Sequence, residues 1–191
     1  MTFSEKKRII DIGGGLRVLQ GRGNRYDESR QWIIPYLKNV DYKILDPVSD
    51  YHPDIVGDIH HLPFHDNSED AFICIAVLEH VENPARAIQE MRRALKPGGY
   101  CLLYVPFLYY YHAETGYYKD YWRFTDDAIR FLARDFSRVE IQAVRGALGT
   151  WLYLAGLMHA SWIARFAYWV DCAFGKLRSK QVSGYWIFLT K

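Results

Sequence analysis

Short apolar runs alternate with amphipathic stretches along the first part of the chain, and glycine, proline and aspartate separate them. Arg8 to Ile12 is an apolar run that stops at Gly13-Gly14-Gly15. Glu28 to Leu37 reads as a helix whose end Pro35 limits or bends. Tyr42 to Leu45 predicts a strand ending at Asp46-Pro47, and Asp54 to Gly57 a weaker edge strand ending at Asp58. Ala71 to Leu78 is continuously apolar over the length of a strand, as expected for a central parallel strand buried on both faces.

Asn83-Pro84 then predicts a helix start, with Asn83 as cap and Pro84 in the first turn. Ala87, Ile88, Met91 and Leu95 recur at helical spacing, and Lys96-Pro97-Gly98-Gly99 ends the element. Tyr100 to Val105 is the next buried strand, Thr125 caps a helix through Leu132, and Val139 to Val144 and Tyr185 to Thr190 read as late strands. This alternation predicts an α/β fold with a parallel sheet and right-handed crossovers, in a single domain over residues 1–191. Such sheets bind ligands beyond the carboxyl ends of their strands, where Asp11, Asp46 and Asp58 should gather on one rim.

Composition narrows the function classes. Half of the residues are apolar, enough for a sizeable core, and a net charge of +2 with mixed signs advertises no basic face for nucleic acid. Cys74, Cys101 and Cys172 are scattered without CxxC pairing, and the first two lie in apolar runs. Free thiols in a reducing compartment are expected, and Met1 to Arg8 carries no apolar signal region, so the expectation is a cytoplasmic protein. The aromatic residues concentrate after Tyr104, where they should face either a pocket or a membrane boundary.

Glycines at a strand-to-helix turn let backbone approach a ligand closely. A dinucleotide enzyme would want a further glycine where Val18 stands, and a phosphate loop would want Gly-Lys-Ser/Thr, which is missing. A nicotinamide oxidoreductase is therefore disfavoured, and a cofactor without a phosphate cradle fits better. Asp46, followed by Pro47, can accept two hydrogen bonds from ribose hydroxyls. Asp58 is within reach of an adenine amino group, with the backbone N–H of Ile59 beside it. Leu62 and Pro63, or Leu78, are candidates to sandwich the ring.

Ile9-Ile10-Asp11-Ile12-Gly13-Gly14-Gly15 resembles the first motif of the class I S-adenosylmethionine-dependent methyltransferases. Asp58 to Phe64, Ala71-Phe72, Val77-Leu78-Glu79-His80-Val81 and Leu95-Lys96-Pro97-Gly98-Gly99 are similar, in order and spacing, to the motifs of the type 11 branch. The resemblance covers roughly residues 8 to 106. It implies a Rossmann-like seven-strand, mostly parallel sheet with helices on both faces and an antiparallel last strand. It also implies that Asp11, Gly13, Gly14 and Gly15 hold the methionine moiety, Asp46 the ribose, and Asp58 and Ile59 the adenine. Ala76, Val77 and Leu78 would border the sulfonium, and S-adenosylhomocysteine would be the product. Two departures stand out: Arg17 occupies a place where the family has glycine, and the usual covering helix does not precede the first strand. Another segment is expected to cover the site, or the site is more open than average.

Methyl transfer is an in-line displacement from a cationic sulfonium, so proximity and alignment are most of the task. A hydroxyl acceptor also benefits from a general base, and His80, His112 and Asp120 are the candidates. The stretch from His112 to Thr125 follows the fifth strand, on the expected acceptor side, and resembles a loop of methyltransferases from surface-glycan and secondary-metabolite clusters. Tyr109, Tyr121, Trp122 and Arg123 are the acceptor-binding candidates; alternatively Asp120 and Arg123 pair to pin the loop. His52, His60, His61 and His65 with Asp54, Asp58 and Asp66 match no ligand spacing, so no metal is expected.

Gly146 to Ala164 carries no charged residue and should form a helical insertion, over residues 146–180, before the last strand. It is marginal for a membrane span, which needs about 20 strongly apolar residues. It is expected to roof the acceptor pocket, or to lie on a membrane through Trp151, Tyr153, Trp162 and Trp169 with nearby Arg165, Lys176, Arg178 and Lys180. The functional expectation is O-methylation of a small molecule, glycan or lipid-linked intermediate. The alternative is a non-catalytic S-adenosylmethionine-binding domain used in assembly or regulation.

Overall fold

The computed structural model describes residues 8–14, 31, 34–37 and 39–191. Seven strands form one sheet in the order β3-β2-β1-β4-β5-β7-β6. They are β1 (Arg8–Ile12), β2 (Asp41–Asp46), β3 (Ile55–Val56), β4 (Glu69–Ile75), β5 (Leu95–Pro106), β6 (Arg138–Val144) and β7 (Gly184–Thr190). The pairs β1–β2, β1–β4, β2–β3 and β4–β5 are parallel, while β7 runs antiparallel to both β5 and β6. This is the Rossmann-like architecture expected, with the last strand reversed.

The period-two alternation of each strand builds two cores. Ile10 and Ile12 join Phe72, Cys74, Cys101, Leu103, Ile187 and Leu189 on one face of the sheet. There they meet α2 (Pro84–Ala94) through Ala87, Ile88 and Met91, and α3 (Asp126–Leu132) through Ile129. Ile9, Ala71 and Ile73 form a smaller cluster with Val40, Tyr42, Ile75 and Tyr100. Both central helices start as the sequence predicts: Asn83 accepts from the Arg86 N–H, and Thr125 from the Ala128 N–H. Cys74 and Cys101 are buried thiols, and burial drives both pKa values up.

Three boundaries differ from expectation. β4 ends at Ile75 rather than Leu78, because Ala76 adopts a left-handed φ of 56° and Leu78 to His80 curl into a 3-10 turn. β5 begins at Leu95, which already pairs with Glu69 before the register shifts. Of the helix predicted over Glu28 to Leu37, the described part is α1 (Ile34–Leu37); Gly15, Arg17 and Val18 lie outside the described residues.

The insertion between β6 and β7 consists of α4 (Ala147–Leu154), α5 (Ser161–Ala173) and a 3-10 turn at Lys176–Arg178. Asp171, buried on α5, ties the pair together by accepting from the N–H groups of Leu148 at 2.9 Å and Gly149 at 3.0 Å. α4 therefore receives its N-terminal cap from another helix. Gly146 is demanded by the same contact, since a Cβ there would lie 2.4 Å from Asp171 Cγ. No helix among the described residues is long and apolar enough to cross a membrane.

Candidate functional site

A cavity of about 970 Å³ opens beyond the carboxyl ends of β1, β2 and β4. Gly13 begins its floor. Its φ is +67°, its N–H donates to the Leu45 carbonyl at 2.7 Å, and a Cβ would stand 2.3 Å from Val77 Cγ2. Asp11 lies directly behind the turn, where a Cβ on Gly14 would come within 2.6 Å of its Cγ, and it accepts a hydrogen bond from the Tyr42 hydroxyl. Asp11 thus shapes the turn from below, while Gly13 faces the cavity.

Asp46 closes β2 as a buried carboxylate, with Oδ1 accepting from the Val48 N–H at 2.9 Å. Asp46, Pro47, Asp58 and Ile59 line the same end of the cavity. Partial burial pushes the Asp58 pKa up, but hydrogen bonds from the His60 N–H and ring, with the charges of His60 and His61, outweigh it and hold the carboxyl below its ordinary value. Val77 and Ala76 form the middle of the cavity, whereas Leu78 turns into the hydrophobic core.

The opposite end is built by the turn after β4 and the loop after β5. The Glu79 carbonyl accepts from the N–H groups of Tyr121 and Trp122, at 2.8 and 3.2 Å. Trp122 Nε1 adds a bond to the Val81 carbonyl at 2.9 Å, and the Tyr121 hydroxyl reaches Glu82 at 3.1 Å. His80, His112 and Tyr121 consequently line the cavity together. Tyr117 stacks on Tyr51 with ring centroids 5.3 Å apart, so the loop reaches across to the segment after β2.

Asp120 does not line the cavity; its side chain is fully buried and clasped by Arg123, Nη1 to Oδ1 at 2.5 Å and Nη2 to Oδ2 at 2.8 Å. It also accepts from the His112 N–H at 2.8 Å. The Arg123 clasp holds the Asp120 pKa down to about 2, against the opposing push of burial. Arg123 further donates to the carbonyls of Tyr109 and Tyr110. Tyr109 stacks on Tyr153 of α4. Tyr109, Trp122 and Arg123 are not among the residues lining the cavity, and Arg123 pairs with Asp120 in the loop-pinning arrangement.

Glu79, to which the sequence assigned no role, lies at the centre of this end. It is fully buried, and neither carboxylate oxygen has a hydrogen-bond partner. His112 Nε2 stands 3.5 Å and His80 Nε2 3.9 Å from Glu79 Oε1. Glu79 raises the His112 pKa, with the Tyr110 carbonyl and Asp120 adding to it against desolvation. The sequence signal was an acid between Leu78 and His80 directly after the central strand; its closeness to His112 depends on how the later loop folds back.

Residues 39–103 match the family described as the methyltransferase domain. The ubiquinone/menaquinone biosynthesis C-methyltransferase of Vibrio cholerae is 31% identical over 106 residues, covering 51% of this chain and 40% of that protein. The chain spans less than half the length of the curated relatives it matches. A SAM-dependent methyltransferase from Archaeoglobus fulgidus superposes with a TM-score of 0.61 at 16% identity, over 99% of this chain and 88% of the other. The 1,6-didemethyltoxoflavin-N1-methyltransferase of Burkholderia thailandensis, solved with its substrate and S-adenosylhomocysteine, gives 0.57 at 13% identity over 97% and 71%. Residues 39–103 thus carry the match to the methyltransferase domain, and the strand order and overall fold are those of S-adenosylmethionine-dependent methyltransferases of known structure.

Proposed function

We propose that this protein transfers the methyl group of S-adenosylmethionine to a hydroxyl of a small molecule, glycan or lipid-linked acceptor. The observation that carries this reading is one continuous cavity with two chemically distinct ends. Asp46, Asp58 and Ile59 stand at the end suited to ribose and adenine, and His80, His112 and Tyr121 at the other, with Ala76 and Val77 between them. The acceptor oxygen attacks the methyl carbon, the carbon–sulfur bond breaks, and its electron pair stays on sulfur. His80 and His112 are the activating groups, Asp120 is a positioning residue held by Arg123, and Tyr121 offers a ring for stacking on the acceptor.

Lipid-linked acceptors are favoured by the surface of α4 and α5. Trp162, Tyr168 and Trp169 are exposed by 68%, 62% and 65%, and Trp151 and Phe166 are exposed beside them. The only acid in residues 146–180 is Asp171, which is buried, while Arg165, Lys176 and Lys180 are exposed. An aromatic face with basic flanks and no exposed acid suits an anionic lipid surface.

Calorimetry with S-adenosylmethionine, S-adenosylhomocysteine and NAD tests the reading. Binding of both adenosyl ligands and none of NAD is expected; failure of both at millimolar concentration would remove it. Asp46→Asn keeps an acceptor for the Val48 N–H but loses charge-assisted bonds to a ribose diol, so affinity should fall about tenfold or more. Labelled methyl transfer into glycan or lipid extracts separates an enzyme from a non-catalytic cofactor-binding domain.

A further inference from the structure

We infer that Glu79, His80 and His112 form a binding site for a divalent cation of the zinc type at the acceptor end of the cavity. The inference goes beyond methyl transfer, and the site stands on these three side chains whether or not that reading holds.

Begin with the tautomers. His80 Nδ1 lies 2.7 Å from the Lys119 carbonyl, and His112 Nδ1 lies 3.0 Å from the Tyr110 carbonyl. A carbonyl oxygen only accepts, so each neutral ring carries its proton on Nδ1. Both rings then turn an unprotonated Nε2 towards the same carboxylate oxygen, Glu79 Oε1. Three electron-rich atoms converge on one point, and the carboxylate among them is completely buried without a hydrogen bond. A buried carboxylate left this way is strongly disfavoured, because it has lost its water without gaining a partner. Something positive belongs between these atoms.

A proton on His112 answers one contact only, leaving the His80 Nε2 and the second Glu79 oxygen unmet. A divalent cation answers both imidazole nitrogens and Glu79 Oε1 together. Bonds of roughly 2.0–2.1 Å to nitrogen and oxygen place tetrahedral ligands about 3.3 Å apart. The observed separations from Glu79 Oε1 are 3.5 and 3.9 Å, and the three ligand atoms all lie within 4.8 Å of one another. Two histidines and one carboxylate are a ligand set suited to zinc with one position left open, and each histidine is oriented through Nδ1 by a backbone carbonyl, the usual outer support of a metal-bound imidazole. The ligands come from two segments. Glu79 and His80 sit in the turn after β4, and His112 in the loop after β5, which the Asp120–Arg123 clasp fixes in place.

His80 and His112 both line the cavity, so a ligand in the fourth position would come from that side. A cation held there would make an acceptor hydroxyl more acidic, with His80 and His112 activating it as ligands rather than as proton acceptors and its proton passing to water.

The test uses untagged full-length protein stripped with a chelator and titrated with Co²⁺, read by visible absorption, with Zn²⁺ as competitor. One Co²⁺ per chain with the ligand-field bands of a low-coordinate site is expected, displaced by Zn²⁺. Affinity should fall at least about 100-fold in His112→Ala and in Glu79→Gln, since each removes a direct ligand. The double variant His52→Ala/His65→Ala, altering exposed histidines elsewhere, should bind as the parent does. Should Glu79→Gln fail to fold, His112→Ala on the loop carries the test. Absence of those bands in the parent, or equal affinity in His112→Ala, overturns the site and leaves a protonated histidine–carboxylate group. S-adenosylhomocysteine is titrated into the same samples: its binding without Co²⁺ uptake removes the cation alone, and Co²⁺ uptake without its binding removes the methyl-transfer reading alone.

Discussion

Gly13 meets two demands at once, a positive φ and a gap too narrow for a Cβ beside Val77. Gly13→Ala should therefore destabilise the fold by about 1–3 kcal/mol, seen as a lower urea midpoint. A midpoint equal to the parent's would mean that Val77 and the turn can shift freely. At this scale the sequence was legible where chemistry is local. Asp46 ends β2 and Asp58 follows β3, and position along the chain is enough to place both at the cavity rim. Glu79 was hidden because its meaning comes from burial and from His112, neither of which its neighbours in sequence display. Leu78 misled for the opposite reason. It continues an apolar run, but the backbone turns at Ala76 and carries its side chain into the core instead of to the ligand side.

Elements follow the same division. The caps at Asn83 and Thr125 use side chains three residues from their donors, so the helices they start are readable directly. The cap of α4 is different, because Asp171 arrives from α5. Asp171→Ala should leave two N–H groups without that partner and cost about 1–3 kcal/mol. Hydrogen exchange should show the loss concentrated in residues 146–174; protection there equal to the parent's would assign the helix pair's stability to other contacts. The sequence expected the insertion to roof the acceptor pocket or face a membrane; none of its described residues lines the cavity. The insertion braces Tyr109 and Tyr110 from behind through Tyr153, and the loop after β5 itself lines the cavity.

Across the whole molecule, Glu90 joins α2 to the segment between β3 and β4. It is buried, accepts from the Leu62 N–H at 3.1 Å and pairs with Arg93 at 2.8 Å and Arg86 at 3.2 Å. The Arg93 bond, against desolvation and aided by Arg86 and Leu62, holds its pKa below the ordinary 4.5. A depressed carboxyl gives stability that is fully present above the unfolded value and is lost as pH falls towards the native one. Glu90→Gln should thus lower the unfolding midpoint at pH 7 and flatten its decline below about pH 4.5; an unchanged acid slope would deny Glu90 that role. The exposed aromatic face of α4 and α5 belongs to this scale too. In flotation, the protein should rise with vesicles containing phosphatidylglycerol and remain below with phosphatidylcholine alone. Trp162→Ala/Trp169→Ala should abolish the rise, and recovery of the parent only in the dense fraction would assign the face another occupant.

The strand order carries one more consequence, for the timing of folding. β7 lies between β5 and β6, although it is the last of the seven to be synthesised. While residues 184–190 are still in the ribosome, β5 and β6 have an empty lane between them, each with an unpaired backbone edge. The half that holds the glycine turn, Asp46 and Asp58 can assemble first, around β1 and β4, without waiting for that lane to fill. The loop after β5 cannot settle so early, because the Phe107 and Leu108 N–H groups bond the carbonyls of Ser183 and Val182 just ahead of β7. A nascent chain would thus possess the Asp46–Asp58 end of its cavity well before the His112–Tyr121 end, with two bare strand edges as the interval's hazard for aggregation.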